Sequence, residues 1–169
     1  EQLELLRDNC TEKRDLAIID LLASTGIRVG ELVRLNRSDI DFQERQCVVF
    51  GKGNKERIVY FNARTKLHLQ DYLDSRDDQE EALFVSLHYP HTRMTTGGIE
   101  VRIKNLGKQI ELPKVHPHKF RRTFATTLYK RGMDVHMIQR LLGHSNINTT
   151  MIYIDSETES LRDAYKRCV

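Results

Sequence analysis

The chain has 169 residues, 39% of them hydrophobic, with 27 Lys and Arg against 24 Asp and Glu for a formal charge of +3. That length suits one domain with a single good core, and no apolar run approaches the ~20 residues that span a bilayer. The acidic, amphipathic start EQLELLRDN is not a secretory leader, and three distant cysteines (Cys10, Cys47, Cys168) without CxxC spacing suggest neither a zinc cage nor a disulfide framework, so a reducing, cytoplasmic setting is expected.

In chain order, Thr11 is placed to cap a helix whose Leu16, Ile19, Leu22 and Ala23 keep helical spacing up to Thr25-Gly26. A short helix is expected from about Arg28 to Leu35. CVVF and RIVYF are β-type runs around GKGNKE, the pattern of a hairpin with a Gly-rich turn. Ala63 to Arg76 is amphipathic and helical, ALFVS reads as a short strand, HYPHTRMTTGG as loop, and Ile99 to Ile110 as another helix. His116-Pro117-His118 opens a helix that stacks Phe120, Phe124 and Leu128 on one face and ends at Gly132. Asp134 caps the next helix, which turns Val135, Ile138, Leu141 and Leu142 to the core and stops at Gly143. A polar run then leads to Tyr153, and Ser156 to Glu159 forms a capping-box pattern for a last helix through Leu161 and Tyr165. The expected class is mainly α with one small antiparallel β-sheet.

Charge is unevenly placed. From Leu112 to Arg140 there are seven Lys or Arg against Asp134 alone, which points to a phosphate-bearing partner meeting one face. Several polar residues also fit poorly with plain packing. Arg28 and Glu31 lie one turn apart at the head of an apolar helix, giving a guanidinium fork that the carboxylate can orient. His118 and Arg121 share a helix face near a helix N-terminus, which favours an anion. Lys52 sits between glycines in the hairpin turn, and His144, read as exposed, follows Gly143 with Tyr153 nine residues on.

Two arginines, a lysine, two histidines and a tyrosine, with no acidic cluster for magnesium, suit phosphodiester transesterification. Guanidiniums can carry the charge that develops on the non-bridging oxygens, a phenol can attack phosphorus, and a lysine or histidine can protonate the leaving oxygen.

These residues resemble the catalytic domain of the tyrosine recombinase family, the phage-integrase-type site-specific recombinases. Five stretches carry the likeness in order: STGIRVGELVRL, FGKGNKERIV, HPHKFRRTFAT, LLGHSNINTT and MIYI. The resemblance implies a tyrosine recombinase catalytic-domain fold and a cutting and rejoining of double-stranded DNA without metal or cofactor. By that likeness Arg28 and Arg121 hold the scissile phosphate and Lys52, with Lys55 as its neighbour in the turn, protonates the 5′ oxygen. His118 assists proton transfer at the tyrosine, His144 bonds a non-bridging oxygen, Glu31 supports Arg28, and Tyr153 attacks to give a 3′-phosphotyrosyl link. Lys55, Lys119 and Arg122 are candidates for contacting DNA.

The likeness further implies that residues 1–169 are a catalytic domain, without the N-terminal DNA-clamping domain of relatives. It implies a monomer off DNA and a homotetramer on it, with residues 155–169 docking on a neighbour, and a possible accessory directionality factor. Integration and excision of a mobile element is the expected role. Chromosome-dimer resolution, relaxation of supercoils by the shared type IB topoisomerase chemistry, a non-catalytic DNA-binding protein, and a zinc hydrolase built on His116, His118 and His144 are the competing readings.

Overall fold

The structure is a computed structural model that describes residues 2–112 and 114–155. Helix α1 (Gln2–Asp8) leads into α2 (Lys13–Thr25), α3 (Val29–Leu32), strand β1 (Ile40–Asp41) and the hairpin β2 (Gln46–Phe50) and β3 (Glu56–Tyr60). Five helices follow: α4 (Ala63–Asp74), α5 (Thr96–Gln109), α6 (Pro117–Lys130), α7 (Val135–Leu142) and α8 (Ile147–Asp155). The sheet is antiparallel in the order β1-β2-β3, with Val49 opposite Arg57 and Cys47 opposite Val59. The domain is therefore mainly α with one small sheet, as the sequence indicated. Among the described residues no helix is long and apolar enough to cross a membrane.

The spine is α2. Ala17, Ile18, Ile19, Leu21 and Leu22 are all buried, and so are the charged Arg14, Asp15 and Asp20, so this helix is packed on several sides. Most of the hydrophobic core gathers about it, while Ala125, Ile138, Leu142 and Ile154 form a smaller cluster between α6, α7 and α8.

Five local expectations need correction. The residue flanking α2 is Glu12, not Thr11, and it makes no side-chain cap. The helix expected from Arg28 to Leu35 is only Val29–Leu32, because Arg28 stays extended as its N-cap. Helix α5 begins earlier than Ile99, capped by the Thr95 side chain, which accepts from Gly98 N–H, so Thr96, Gly97 and Gly98 are helical rather than loop. ALFVS is not a strand: it is held by isolated bridges at Ala82 and Val85. Its backbone is satisfied by other groups, since Arg76 donates to the Ala82 and Leu83 carbonyls and Leu83 N–H donates to Leu35 O. Finally, helix α4 ends at Asp74 rather than Arg76. The polar run leading to Tyr153, to which the sequence assigned no element, is helix α8. The capping box at Ser156–Glu159, Leu161, Tyr165 and Cys168 lie outside the described residues.

Elsewhere the reading holds. Asp134 accepts hydrogen bonds from His136 and Met137 N–H, and Gly143 closes α7 in the left-handed region at φ 64°. Of the apolar stripe on α6, Phe120 is buried and Phe124 and Leu128 are half-buried.

Candidate active site

Arg121 is 1% exposed at the point where the two clusters meet. Its Nη1 donates to Gly26 O and its Nη2 to Leu142 O, both at 2.7 Å. Those carbonyls belong to the C-terminal ends of α2 and α7, each closed by a glycine with φ near +60°. A side chain at Gly26 would collide with the Phe124 ring as well as adopt a disfavoured backbone, so glycine is required there. The negative ends of two helices thus converge on one guanidinium. Burial, and then Arg28 nearby, lower its pKa to about 10, which leaves it charged at neutral pH.

Arg28 is anchored by Glu31. Its backbone N–H donates to Glu31 Oε2 at 2.7 Å and its Nη1 to Oε1 at 3.2 Å, while 39% of its side chain stays exposed. Glu31 is buried, and it also receives a two-pronged bond from Arg57 at 2.6 and 2.8 Å. Burial alone would raise the Glu31 carboxyl, but bonds from Arg57 and the Arg28 backbone outweigh it and hold the group below its ordinary value.

A cleft of about 550 Å³ opens above this layer, lined by Arg28, Glu31, Lys52, Pro117, His118 and Arg121 among others. Four of the six proposed catalytic side chains and Glu31 therefore share one concavity. The exposed Lys52 enters from the hairpin turn, and the exposed His118 from the first turn of α6. Thr96 and Glu100 of α5 also line the cleft. Lys55, Lys119 and Arg122 do not: Lys55 and Arg122 are exposed, and Lys119 is half-buried beside a second groove. Among the described residues no three His, Cys, Asp or Glu side chains are grouped to hold a metal ion, so the zinc grouping of His116, His118 and His144 does not form.

His144 corrects the sequence reading. It is buried at 8% exposure, not exposed past a helix end, because the left-handed turn at Gly143 folds it beneath α8. Its Nδ1 lies 2.7 Å from the buried Thr150 hydroxyl, and its ring is 5.5 Å from the Tyr153 ring, centroid to centroid. If the hydroxyl donates to Nδ1, the ring proton sits on Nε2, where it can be donated to an anion. Tyr153 is half-buried, and its carbonyl accepts a bond from Thr126 of α6 at 3.3 Å. Arg121 ties the two halves of the site together: it holds the carbonyl two residues before His144, and its charge is felt at both His144 and Tyr153.

Residues 1–160 match the model of the Phage integrase family. The chain belongs to that family. The tyrosine recombinase XerC of Staphylococcus aureus is 36% identical over 173 residues, a match covering 98% of this chain and 58% of that protein. The structure of XerA recombinase superposes with a TM-score of 0.86 at 39% identity, covering 98% of this chain and 60% of that one. The Tn1549 transposon integrase, solved in complex with circular intermediate DNA, shares the fold with a TM-score of 0.78 at 24% identity, over 98% of this chain and 62% of that one. The chain thus spans a little over half the length of its curated relative, and its fold is that of a tyrosine recombinase catalytic domain.

Two residues of this site were not singled out from sequence, Arg57 and Thr150. Alternation in β3 argues against Arg57, since it would turn Ile58 and Tyr60 inward instead; Thr150 gave no signal, since a threonine before an apolar run usually packs. The environment of His144 has a measurable consequence. Burial, reinforced by Arg121 and Arg28, lowers its pKa to about 4 from an ordinary 6.5. The folded state therefore prefers the neutral ring, and the stability this represents is complete above pH 6.5 and lost as pH falls toward 4. The full loss is roughly 3 kcal/mol. Urea unfolding at pH 7 and pH 4.5 is expected to show a smaller decline for His144→Gln than for the unaltered protein. An equal decline in both would contradict a buried neutral His144.

Proposed function

We propose that this protein is a site-specific DNA recombinase that exchanges strands through a 3′-phosphotyrosyl intermediate. The observation that carries the reading is the convergence of Arg28, Lys52, His118 and Arg121 on one cleft, with the His144–Tyr153 pair tied to the same Arg121. In the reaction the Tyr153 oxygen attacks phosphorus, the new O–P bond replaces the bond to the 5′ oxygen, and Lys52 protonates that oxygen as it leaves. His118 takes the phenolic proton. Arg28 and Arg121, with the Nε2–H of His144, stabilise the charge on the non-bridging oxygens. Attack by a 5′-hydroxyl from a second duplex reverses these steps and frees Tyr153. Each phosphodiester broken is replaced by a phosphotyrosyl ester, so no external energy source is needed.

Double-stranded DNA is the proposed substrate, and Lys55, Lys119 and Arg122 its additional contacts outside the cleft. The proposed assembly is a monomer that forms a tetramer on DNA, with residues 155–169 of each copy docking on a neighbour. A groove of about 750 Å³ lined by Leu3, Leu6, Phe61, Phe120, Phe124 and Leu128 supports this, because it offers apolar surface suited to an amphipathic segment. Identities of 36% to XerC and 39% to XerA favour chromosome-dimer resolution over integration and excision of a mobile element. The transposon integrase, at 24%, contributes likeness of fold alone. A bacterial cytoplasmic setting follows from either role.

The test is a plasmid carrying two copies of the sequence captured from a randomised duplex pool. The full chain is expected to yield deletion circles in EDTA, and the chain truncated after Ile154 to lose them while still nicking and resealing. Relaxation of a plasmid lacking those sites, without any deletion circles, would favour a topoisomerase instead. Deletion at full rate by the truncated chain would remove the docking role of residues 155–169.

A further inference from the structure

Strand β3 is built inside out. Its inward positions, those level with the buried Cys47 and Val49 of β2, hold Val59 and Arg57, while Ile58 and Tyr60 face outward at 46% and 55% exposure. A register shift of one residue would bury the two large apolar side chains and expel the arginine. The observed register instead keeps Arg57 inside, with its side chain 12% exposed, and leaves the apolar pair in water. An inward guanidinium requires compensation from specific partners, and Arg57 has three bonds: two to the Glu31 carboxylate and one, from Nε at 2.8 Å, to Leu141 O.

These partners connect the two halves of the site. Leu141 O and Leu142 O are successive carbonyls at the end of α7, and they take Arg57 and Arg121 respectively. Glu31 is shared by Arg57 and Arg28. Charge makes the sharing consequential. Without Arg57, the Glu31 carboxylate would cancel one of the two arginines that face the cleft. With Arg57 paired to it, the full charge of both Arg28 and Arg121 remains for a phosphate.

We propose that Arg57 is a positioning residue for strand transfer. It neutralises and orients Glu31 so that Arg28 is aimed without being discharged, and it pins the end of α7 so that Arg121 and His144 keep one frame with the hairpin that carries Lys52. Arg57 itself does not touch the phosphate. The inference rests on the strand-transfer reading above.

The probe is a pool of nicked duplexes of randomised sequence, with SDS-resistant adduct followed over time at saturating DNA for the unaltered chain, Arg57→Gln, Glu31→Gln and the double variant. Arg57→Gln is expected to slow adduct formation about 100-fold while binding of the pool, read by fluorescence anisotropy, changes less than about threefold. Adding Glu31→Gln to Arg57→Gln removes the unpaired anion and is expected to recover about tenfold. A merely structural arginine predicts the reverse, since the second substitution would delete further bonds. Should circular dichroism show Arg57→Gln unfolded, Arg57→Lys serves in its place: it keeps the charge, gives up the three-point fork, and is expected to lose about tenfold. Adduct formation at the unaltered rate in Arg57→Gln, or in Arg57→Lys where that stands in for it, would overturn the proposal, as would a double variant slower than Arg57→Gln. Absence of any Tyr153-dependent adduct from the unaltered chain would overturn the strand-transfer reading itself, and this proposal with it.

Discussion

An Arg121→Ala variant is expected to lose about 2–4 kcal/mol of stability and to fall at least about a thousandfold in phosphotyrosyl adduct formation. The stability loss comes from Gly26 O and Leu142 O, each bonded at 2.7 Å to a guanidinium that is 1% exposed. Removing the side chain orphans two carbonyls at about 1–3 kcal/mol each and opens a cavity. Against this, the substitution relieves the burial of a cation, the effect that lowers the Arg121 pKa, and this keeps the expected loss moderate. Catalysis is expected to suffer more, because the group proposed to neutralise the transition state also fixes the α7 turn carrying His144. Arg121→Lys is expected to keep more stability than alanine yet lose about a hundredfold in adduct, since one ammonium cannot reproduce a planar fork serving two carbonyls and a phosphate. Urea unfolding and a single-turnover trapping assay check both statements; a lysine variant at the unaltered rate would contradict them.

Tyr153→Phe should separate chemistry from folding. The ring lies against His144 with centroids 5.5 Å apart, on a helix held to α6 by the Tyr153 carbonyl, and a phenylalanine keeps both contacts. Stability is therefore expected to change by no more than about 1 kcal/mol, whereas adduct should fall to background. Tyr129 lies on α6 and is 41% exposed, and Tyr129→Phe is expected to leave the adduct intact. Thermal unfolding beside SDS-resistant adduct measures both properties on the same samples.

Much of the site could be read before the fold was known, for reasons that particular residues make clear. Asp134 and Gly143 bound α7 by local backbone chemistry, and the β-type runs around GKGNKE gave the hairpin that delivers Lys52. Helix α8 escaped because Thr149, Thr150, Ile152 and Ile154 are β-branched and argue for extended chain; packing against α6 and α7 overrides that preference. ALFVS misled in the opposite direction. It is apolar and buried, but Arg76 and Leu35 satisfy its backbone, so no neighbouring strand is needed. The burial of His144 depends on a hydroxyl six residues onward, and the pairing of Arg57 with Glu31 spans 26 residues. Contacts of that kind are set by tertiary approach and leave no periodic trace in sequence.

The central claim is that Tyr153 becomes covalently joined to DNA. The direct measurement is to trap adducts from the nicked-duplex pool in EDTA, digest protein and DNA, and locate the nucleotide remnant by mass spectrometry. The account predicts a remnant on the peptide carrying Tyr153, joined through a 3′ phosphate, and none from the Tyr153→Phe variant. A remnant on any other residue, or a chain that binds the pool yet yields no adduct, would contradict it.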